Sequence, residues 1–406
     1  MNTDVLIIGA GTAGLTVAAG LAQRGFSSLL VEKGFFPGGL AVNFSCKAVE
    51  ACAKCNACLM EEALSAYAEK GLSRLALQSK VIACRKNERG FRVKISRGPY
   101  YLQADKCVDC GLCQQACPER DKALRRSPVL FHGPGYVISP LDCLDLQGDE
   151  CRAWVEVCPT GAIDLSARAR TEEIEVRSVV LAAGSVPFDP VKKPRLGYGR
   201  LPDVITALEL DQALRTKDRL ERPSNHELPS RVAFIQCVGS RDKSLGRDYC
   251  SRVCCGYALR LARLIRRRWP QTSVSFFYMD IQNVGRDFGR YYGEIASKIE
   301  LIHGLPGEIT AGRDGALVAP FSNESTGRRE TREFDLVVLS QGLGPPEPDT
   351  LALFGLEPDQ DGFFQGRPAE GIFVAGAAAG PMNVAEARGL AMGVCAEAAS
   401  FLRNRS

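Results

Sequence analysis

The apolar residues of this chain fall into short blocks separated by small and polar residues. An apolar run at 5–8 reads as a buried strand, 15–24 has the spacing of a helix, and 28–31 is a second strand-like run. Further strand-like runs lie at 178–182 and 231–235. Strands that alternate with helices in this way predict an α/β fold built on parallel sheets.

A glycine-rich turn joins the first predicted strand to the first helix. Gly9, Gly11 and Gly14 allow a tight turn and the close approach of a pyrophosphate to the helix N-terminus, where free N–H groups favour an anion. Glu32 ends the second strand and is placed to accept hydrogen bonds from a ribose. The pattern predicts dinucleotide binding, against the alternative of an ordinary tight turn. The candidate contacts are Gly9, Ala10, Gly11, Thr12, Ala13, Gly14, Glu32 and Lys33.

Two later segments favour FAD over NAD. Residues 178–185 resemble the strand and glycine that return to the FAD site in flavoproteins with two dinucleotide-binding domains, and 371–376 resemble their C-terminal flavin strand. A helix is predicted over 383–402, with its N-terminus available to face the flavin. Ala377 stands where relatives often carry an aspartate that binds ribitol. The further candidate contacts are Gly39, Val81, Ala183, Gly184, Gly376 and Ala377.

The run Cys107-Val-Asp-Cys110-Gly-Leu-Cys113-Gln-Gln-Ala-Cys117-Pro118 has the spacing of a bacterial ferredoxin. Three of its thiolates can bind one four-iron cluster, while the fourth turns away to a second cluster. Cys158, which is followed by proline, is the matching return ligand. The first cluster is therefore predicted to use Cys107, Cys110, Cys113 and Cys158. A structural zinc site is the alternative, although zinc ligand pairs are usually separated by longer loops.

The second cluster of this module has an incomplete set of ligands. Cys117, Cys143 and Cys151 are in place, but Trp154 occupies the remaining position and cannot bind iron. Three outcomes stay open: a three-iron cluster, a four-iron cluster with an outside ligand, or no cluster.

Cysteines also replace a second glycine motif. After the apolar run at 231–235 a nicotinamide-binding domain would need glycines, but the chain continues with Cys237, Cys250, Cys254 and Cys255. These four predict an unconventional iron–sulfur site. A redox-active or buried group of thiols is the alternative, since the adjacent pair at 254–255 could carry disulfide chemistry.

A last group of cysteines follows Gly39 and consists of Cys46, Cys52, Cys55 and Cys58. A third four-iron cluster is the prediction here. A zinc knot and a pair of redox thiols are the alternatives.

Composition narrows the classes of function. The 406 residues, 45% of them hydrophobic, can form two or three domains with their own cores. A net charge of +4 gives no reason to expect a nucleic-acid partner, and the three histidines lie in no recognisable catalytic motif. The 17 cysteines without a signal peptide point to metal ligands in a reducing compartment. No apolar run reaches the ~18 residues of a membrane span, so a cytoplasmic location is expected.

Two segments resemble a known family. Gln236-Cys-Val-Gly-Ser-Arg-Asp and Tyr249-Cys-Ser-Arg-Val-Cys-Cys, together with the cysteine-rich insert and the N-terminal glycine motif, resemble the A subunit of heterodisulfide reductase. The resemblance implies a thioredoxin-reductase-like FAD domain with an inserted two-cluster ferredoxin module. It also implies that Cys237, Cys250, Cys254 and Cys255 bind a four-iron cluster. Full-length relatives carry additional N-terminal and C-terminal domains, so this chain is similar to a short form, like the A subunit of quinone-interacting membrane-bound oxidoreductases.

The predicted architecture is two Rossmann-type domains with an inserted α+β ferredoxin module. The FAD domain takes 1–98, 165–228 and 341–406, the insert takes 99–164, and the second Rossmann-like domain takes 229–340. The expected function is electron transfer between FAD and [4Fe–4S] clusters, within an oligomeric complex.

The expected partners are other iron–sulfur or heterodisulfide-reductase-like subunits. A quinone-linked membrane subunit is a further candidate, which would hold the chain at the inner face of the membrane. A free-standing NAD(P)H-dependent flavin disulfide reductase and a metal-binding scaffold without catalysis are the alternatives.

Overall fold

The computed structural model describes residues 2–48, 50–69, 73–126, 136–149, 151, 156–282, 288–364 and 369–405. The helices are α1 (Thr12–Gln23), α2 (Cys58–Ala68), α3 (Leu112–Ala116), α4 (Arg120–Ala123), α5 (Leu144–Gln147), α6 (Ala207–Thr216), α7 (Cys254–Arg268), α8 (Phe288–Ala296), α9 (Pro348–Ala352) and α10 (Val384–Arg403). The strands are β1 (Asn2–Ile8), β2 (Ser28–Val31), β3 (Ser73–Ala76), β4 (Ser79–Asn87), β5 (Gly90–Arg97), β6 (Leu124–Arg126), β7 (Tyr136–Ile138), β8 (Arg170–Leu181), β9 (Val186–Pro187), β10 (Val204–Thr206), β11 (Arg231–Val238), β12 (Ser273–Tyr278), β13 (Glu300–His303), β14 (Thr310–Ala311), β15 (Leu317–Asn323), β16 (Arg328–Phe334), β17 (Leu336–Gln341), β18 (Leu343–Gly344) and β19 (Ile372–Val374).

The first sheet has the strand order β3-β2-β1-β8-β5-β4, with β19 also paired to β8. Strand β8 runs parallel to β1 and β19 but antiparallel to β5. Its sequence reflects this change of neighbours. Residues 178–181 are all buried, as expected for a parallel strand covered on both faces, whereas exposed and buried residues mix over 170–177. Helices α1, α2 and α10 cover one face, and each contributes a fully buried side chain to the core: Leu15, Met60 and Leu402.

The segment between β5 and β8 leaves this sheet and forms a small body of its own. Its base is closed where Gln103 N donates to Ala162 O and Asp164 N donates to Tyr101 O, both at 2.8 Å. Strands β6 and β7 form an antiparallel pair inside it. Its core includes two buried cysteines, Cys117 and Cys143, packed among apolar side chains. These contacts lie within 99–164, the range that the sequence predicts for the insert.

The second sheet is fully parallel, with the order β10-β17-β11-β12-β13. Helices α6, α7 and α8 pack on one face. Strands β15 and β16, which form an antiparallel sheet with β14, contribute to the core on the other. Strand β10 pairs with β17 of this sheet, whereas the sequence-based boundary places 165–228 with the FAD domain. A strand of three residues is too short to carry a periodic signal, so only its hydrogen-bonding partner shows where it belongs.

Candidate functional site

The turn between β1 and α1 depends on two glycines that no larger residue could replace. Gly9 has φ of +100°, and a Cβ atom there would lie 2.3 Å from the carbonyl oxygen of Ala182. A Cβ atom on Gly14 would lie 1.9 Å from the carbonyl oxygen of Gly9. These contacts bring the start of α1 directly against the ends of β1 and β8.

Gly11 differs from these two because it faces space. It is the N-cap residue of α1, with φ of −75° and no side-chain cap. A Cβ atom on it would meet only the Cα atom of Gly39, at 3.8 Å. The first turn of α1 thus presents its N–H groups and the positive end of the helix dipole beside two glycines, which is the arrangement that binds a pyrophosphate.

Glu32 lies at this turn, directly after β2. Its Oε2 accepts a hydrogen bond from Ala10 N at 2.7 Å, and its Oε1 accepts one from Gly34 N at 2.7 Å. These bonds fix the carboxylate next to the glycine turn, and each oxygen keeps a lone pair for a further donor. The geometry fits the predicted contact with a ribose.

Four more of the candidate FAD residues lie near the glycine turn. Gly376 follows β19 and lies against α1, since a Cβ atom on it would be 2.5 Å from the Cβ of Ala13. Ala183 and Gly184 follow β8 at the same edge of the sheet, and Ala377 follows Gly376. The glycine turn, Glu32 and these return segments form a cradle of the kind that FAD needs.

Val81 and Lys33 are placed differently. Val81 is 5% exposed within the core of the first sheet, so only its backbone could reach a ligand. Lys33 forms an exposed ion pair with Glu347 at 2.7 Å. No contact among the described residues directs either side chain toward the cradle.

Four cysteines of the insert line one cavity. Cys107, Cys110, Cys113 and Cys158 surround it together with apolar residues such as Tyr136. Positive φ angles at Asp109 and Gly111, of 54° and 73°, turn the loop sharply enough to aim its thiols inward. Ala162 N donates to Cys158 Sγ at 3.3 Å. This is the ligand set predicted for the first ferredoxin cluster.

A second group in the insert contains Cys117, Cys143 and Cys151. Burial raises the pKa of the Cys117 thiol, and the nearby Cys151 and Cys143 raise it further. The pKa of Cys143 is raised in the same way, by burial first. The structure thus brings together the three cysteines that the sequence assigns to the second cluster. Trp154 lies outside the described residues.

The cysteines of the second Rossmann-like domain meet where β11 ends and α7 begins. Cys237 has φ of 57°, and Cys254 and Cys255 form the first turn of α7. A hydrogen bond from Cys254 lowers the pKa of Cys237, and the same bond raises the pKa of Cys254 to about 12. Cys250 is close enough to raise the pKa of Cys254 as well. All four predicted ligands are brought together.

This cysteine group is tied to the flavin edge of the first sheet. Arg252, between Cys250 and Cys254, forms an ion pair with Glu386 of α10 at 3.1 Å. Glu386 also caps α10 by accepting a hydrogen bond from Asn383 N at 3.0 Å. Sequence reasoning missed this link, because the two charged residues are 134 positions apart and carry no local signal.

The fourth group is held between the two large domains. Cys52, Cys55 and Cys58 lie close together, since both other thiols add to the burial that raises the pKa of Cys58. Arg260 of α7 donates to the carbonyl oxygen of Ala53 at 2.9 Å. Cys46 is exposed at the start of this segment.

The residue after Cys46 is the buried Lys47. Its ammonium pairs with Asp211 of α6, and the two side chains are 3% and 6% exposed. The carboxylate of Asp211 also accepts hydrogen bonds from the N–H and the hydroxyl of Ser45, at 2.9 and 2.6 Å. This pair has no signal in the sequence either, since its members are 164 residues apart.

Within the described part of the chain, no three His, Cys, Asp or Glu side chains converge closely enough to hold a single metal ion. Zinc draws its thiolates to about 2.3 Å from one centre. Thiolates that hold a cubane stand further apart because the cluster itself lies between them. The four cysteines that line the cavity supply the number of thiol ligands that a four-iron cluster needs.

Comparison with known proteins shows which proteins the chain is similar to. The chain is 33% identical over 428 residues to the A subunit of the H(2):CoB-CoM heterodisulfide,ferredoxin reductase of Methanothermobacter thermautotrophicus, and the match covers 98% of this chain and 64% of that protein. It is 31% identical over 421 residues to an iron-sulfur A subunit of the CoB–CoM heterodisulfide reductase of Methanopyrus kandleri, with the same coverage. The chain is a homologue of the heterodisulfide reductase A subunit. It spans 64% of the length of each of these two relatives.

The predicted resemblance to this family is thereby confirmed. The family described as FAD dependent oxidoreductase matches residues 4–139, which supports FAD as the cofactor and confirms the oxidoreductase class. The structure of thioredoxin reductase from T. acidophilum superposes with a TM-score of 0.55 at 14% identity, over 99% of this chain and 98% of that one. This likeness confirms the predicted fold. The ferredoxin character of the insert and the domain boundaries stay predictions.

Among the helices that the structure describes, none is both long and apolar enough to cross a bilayer.

Proposed function

We propose that this homologue of the heterodisulfide reductase A subunit transfers electrons between FAD and iron–sulfur clusters within a multi-subunit complex. The observation that carries the proposal is the position of Cys237, Cys254 and Cys255 at the end of β11 and the start of α7. In a nicotinamide-dependent enzyme this turn would hold the pyrophosphate. Four thiols fill it here, and one of their loops is tied to α10 beside the flavin cradle.

The division of labour follows from the chemistry of the two kinds of cofactor. When bound, FAD accepts or donates electron pairs, and four-iron clusters carry single electrons. The chain's own residues would position them: the first turn of α1 and Glu32 would hold the dinucleotide, and the cysteines would hold the clusters. The buried apolar residues around Cys117 and Cys143 would keep water from that site.

The proposed cluster inventory follows the four cysteine groups. Two groups have four cysteines brought together and would each hold a [4Fe–4S] cluster. The group at 46–58 would hold a third. The group of Cys117, Cys143 and Cys151 would hold a fourth four-iron cluster if an outside ligand replaces the cysteine missing at Trp154. Without such a ligand it would hold a [3Fe–4S] cluster.

The proposed partners are further iron–sulfur subunits. The names of the relatives describe subunits of heterodisulfide reductases, one of them an iron-sulfur subunit. The exposed Cys110 would bring the first ferredoxin cluster near the surface, where a one-electron partner could dock. A cytoplasmic location, with contact through partners to a quinone-linked membrane subunit, is proposed on the same basis.

The test is anaerobic stopped-flow reduction of protein loaded with FAD and iron. NADH and NADPH should leave the flavin oxidised, whereas a reduced ferredoxin should bleach it. Cys250→Ser should lower iron content and slow the reduction by ferredoxin, while Cys84→Ser, outside every group, should change neither. Rapid stoichiometric bleaching by a nicotinamide would refute the proposal in favour of a free-standing reductase. Absence of iron and acid-labile sulfide would favour a scaffold.

A further inference from the structure

A large cavity outside the cofactor sites lies at the amino edge of the second sheet. It has a volume of about 630 Å³, within the range of small-molecule sites. Val204 of β10, which lines it, is level with Ala233 near the start of β11. Cys237 lies at the opposite end of β11, so the cavity is separate from the cysteine group.

One wall of this cavity is a loop that is firmly held. Asp203, 3% exposed, accepts hydrogen bonds from Arg222 Nη2 at 2.7 Å and from Ser224 N at 3.0 Å. Arg222 N donates in turn to Glu227 O at 2.8 Å. The loop at 217–226 is thus fixed over the edge of the sheet, and the cavity does not depend on exposed side chains alone.

The floor of the cavity is apolar. Val204 and Leu210 are 3% and 2% exposed beneath it, and the less buried Ala213 of α6 lines its side. Such a surface favours a ring or an aliphatic chain, because burial of apolar area is stabilising.

The rim carries more positive than negative charge. The rim has three cationic side chains, those of Arg200, Lys217 and Arg219. It has two carboxylates, those of Glu209 and Glu221. Both carboxylates are already engaged. Glu209 accepts from the Tyr198 hydroxyl at 2.8 Å and caps α6, and Glu221 pairs with Lys217 at 2.8 Å.

The two arginines keep donors available for a ligand. The Arg200 side chain donates to a single described acceptor, the carbonyl oxygen of Ile309 at 3.3 Å. Arg219 donates to no described residue, although its charge lowers the pKa of Glu221 together with Lys217, whose hydrogen bond is the main cause. Guanidinium groups bind phosphate and carboxylate with paired hydrogen bonds.

We propose that this cavity binds an organic anion that joins an apolar ring or chain to a phosphate or carboxylate group. The apolar part would lie on Val204 and Leu210, and the anionic group would lie between Arg200 and Arg219. The site does not depend on the electron-transfer proposal, since none of its residues belongs to the flavin cradle or to a cysteine group.

The test is isothermal titration calorimetry of the FAD- and iron-loaded protein with phenyl phosphate, an aromatic dianion. One site per chain should bind it, and inorganic phosphate and phenol should each bind more weakly. Arg200→Gln with Arg219→Gln should weaken binding about tenfold or more, because charge-assisted hydrogen bonds are lost. Ala213→Phe, which fills the cavity from α6, should weaken it without changing charge.

The matched control is Arg328→Gln with Arg329→Gln, the same change of charge on β16 of the same domain. It should leave the affinity within about twofold of the wild type. Four results would overturn the proposal: no binding at millimolar phenyl phosphate, equal binding of inorganic phosphate, full binding by the Ala213→Phe and arginine variants, or an equal loss in the control.

Discussion

Replacement of Gly11 by alanine tests flavin binding separately from the stability of the fold. The backbone of Gly11 has φ of −75° and ψ of −175°, which any residue can adopt. Its new methyl group would meet only Gly39 Cα, at an ordinary contact distance of 3.8 Å. The same change at Gly14 would put a methyl group 1.9 Å from a carbonyl oxygen and would damage the turn itself.

The expected magnitudes separate binding from stability. Alanine is a poorer N-cap residue than glycine, so the protein without flavin should lose about 0.5–1 kcal/mol of unfolding free energy. The methyl group would stand where the pyrophosphate approaches α1 and would remove one or two charge-assisted hydrogen bonds, each contributing about 1.5–3 kcal/mol. The dissociation constant for FAD should therefore rise roughly 10- to 100-fold or more.

The assay is fluorescence titration of deflavinated protein with FAD, beside thermal unfolding of the same samples. Gly293→Ala is the control, because Gly293 lies in α8 with no atom near its Cβ position. That variant should bind FAD normally and gain up to about 1 kcal/mol of stability from helix propensity. Wild-type affinity for FAD in Gly11→Ala would refute the placement of the pyrophosphate at this turn.

Two further predictions concern the cysteine groups. Lys47→Met would leave the 6%-exposed carboxylate of Asp211 without its cation, and we expect it to lower the free energy of unfolding by about 3–5 kcal/mol in chemical denaturation. The control Lys33→Met, at a pair more than 60% exposed, should lower it by less than about 1 kcal/mol. Similar small losses in both variants would contradict the role given to the buried pair. Trp154→Cys should raise the iron content or convert a three-iron EPR signal to a four-iron one, and an unchanged spectrum would mean that this site is empty or is completed from elsewhere.

The parts of the site that the sequence predicted are those encoded in short stretches of chain. The glycine turn lies within one strand–helix unit, so its pattern appears whole in residues 5–24. The spacing of Cys107, Cys110 and Cys113 likewise marks one tight loop. Even Cys158 could be placed with them in one cavity, because paired ferredoxin runs exchange their last ligands.

The parts that could not be predicted depend on distant pairs of side chains. The ion pairs of Arg252 with Glu386 and of Lys47 with Asp211 connect separate domains, and neither member of a pair indicates the other. The membership of β10 in the second sheet is also a long-range fact, set by its hydrogen bonds to β17. Local patterns describe elements, whereas packing decides which elements meet.

The two halves of the molecule use the same strand–turn–helix geometry for different chemistry. In the first half, glycines clear the space before α1, so the N-terminal N–H groups and the helix dipole can receive a phosphate. In the second half, Cys254 and Cys255 occupy the first turn of α7, only 1% and 3% exposed. The hydrogen bond of Cys254 with Cys237 raises the pKa of Cys254, and the bond of Cys255 with Cys254 raises the pKa of Cys255. Burial adds to both, which opposes the thiolate form.

The dipole of α7 and the iron of a bound cluster would both act in the other direction, because each favours negatively charged sulfur. A helix N-terminus that stabilises an anionic phosphate in one domain would therefore stabilise anionic thiolates in the other. Cluster binding at this turn would account for a Rossmann-type second domain in which cysteines stand where a nicotinamide-binding domain would carry glycines.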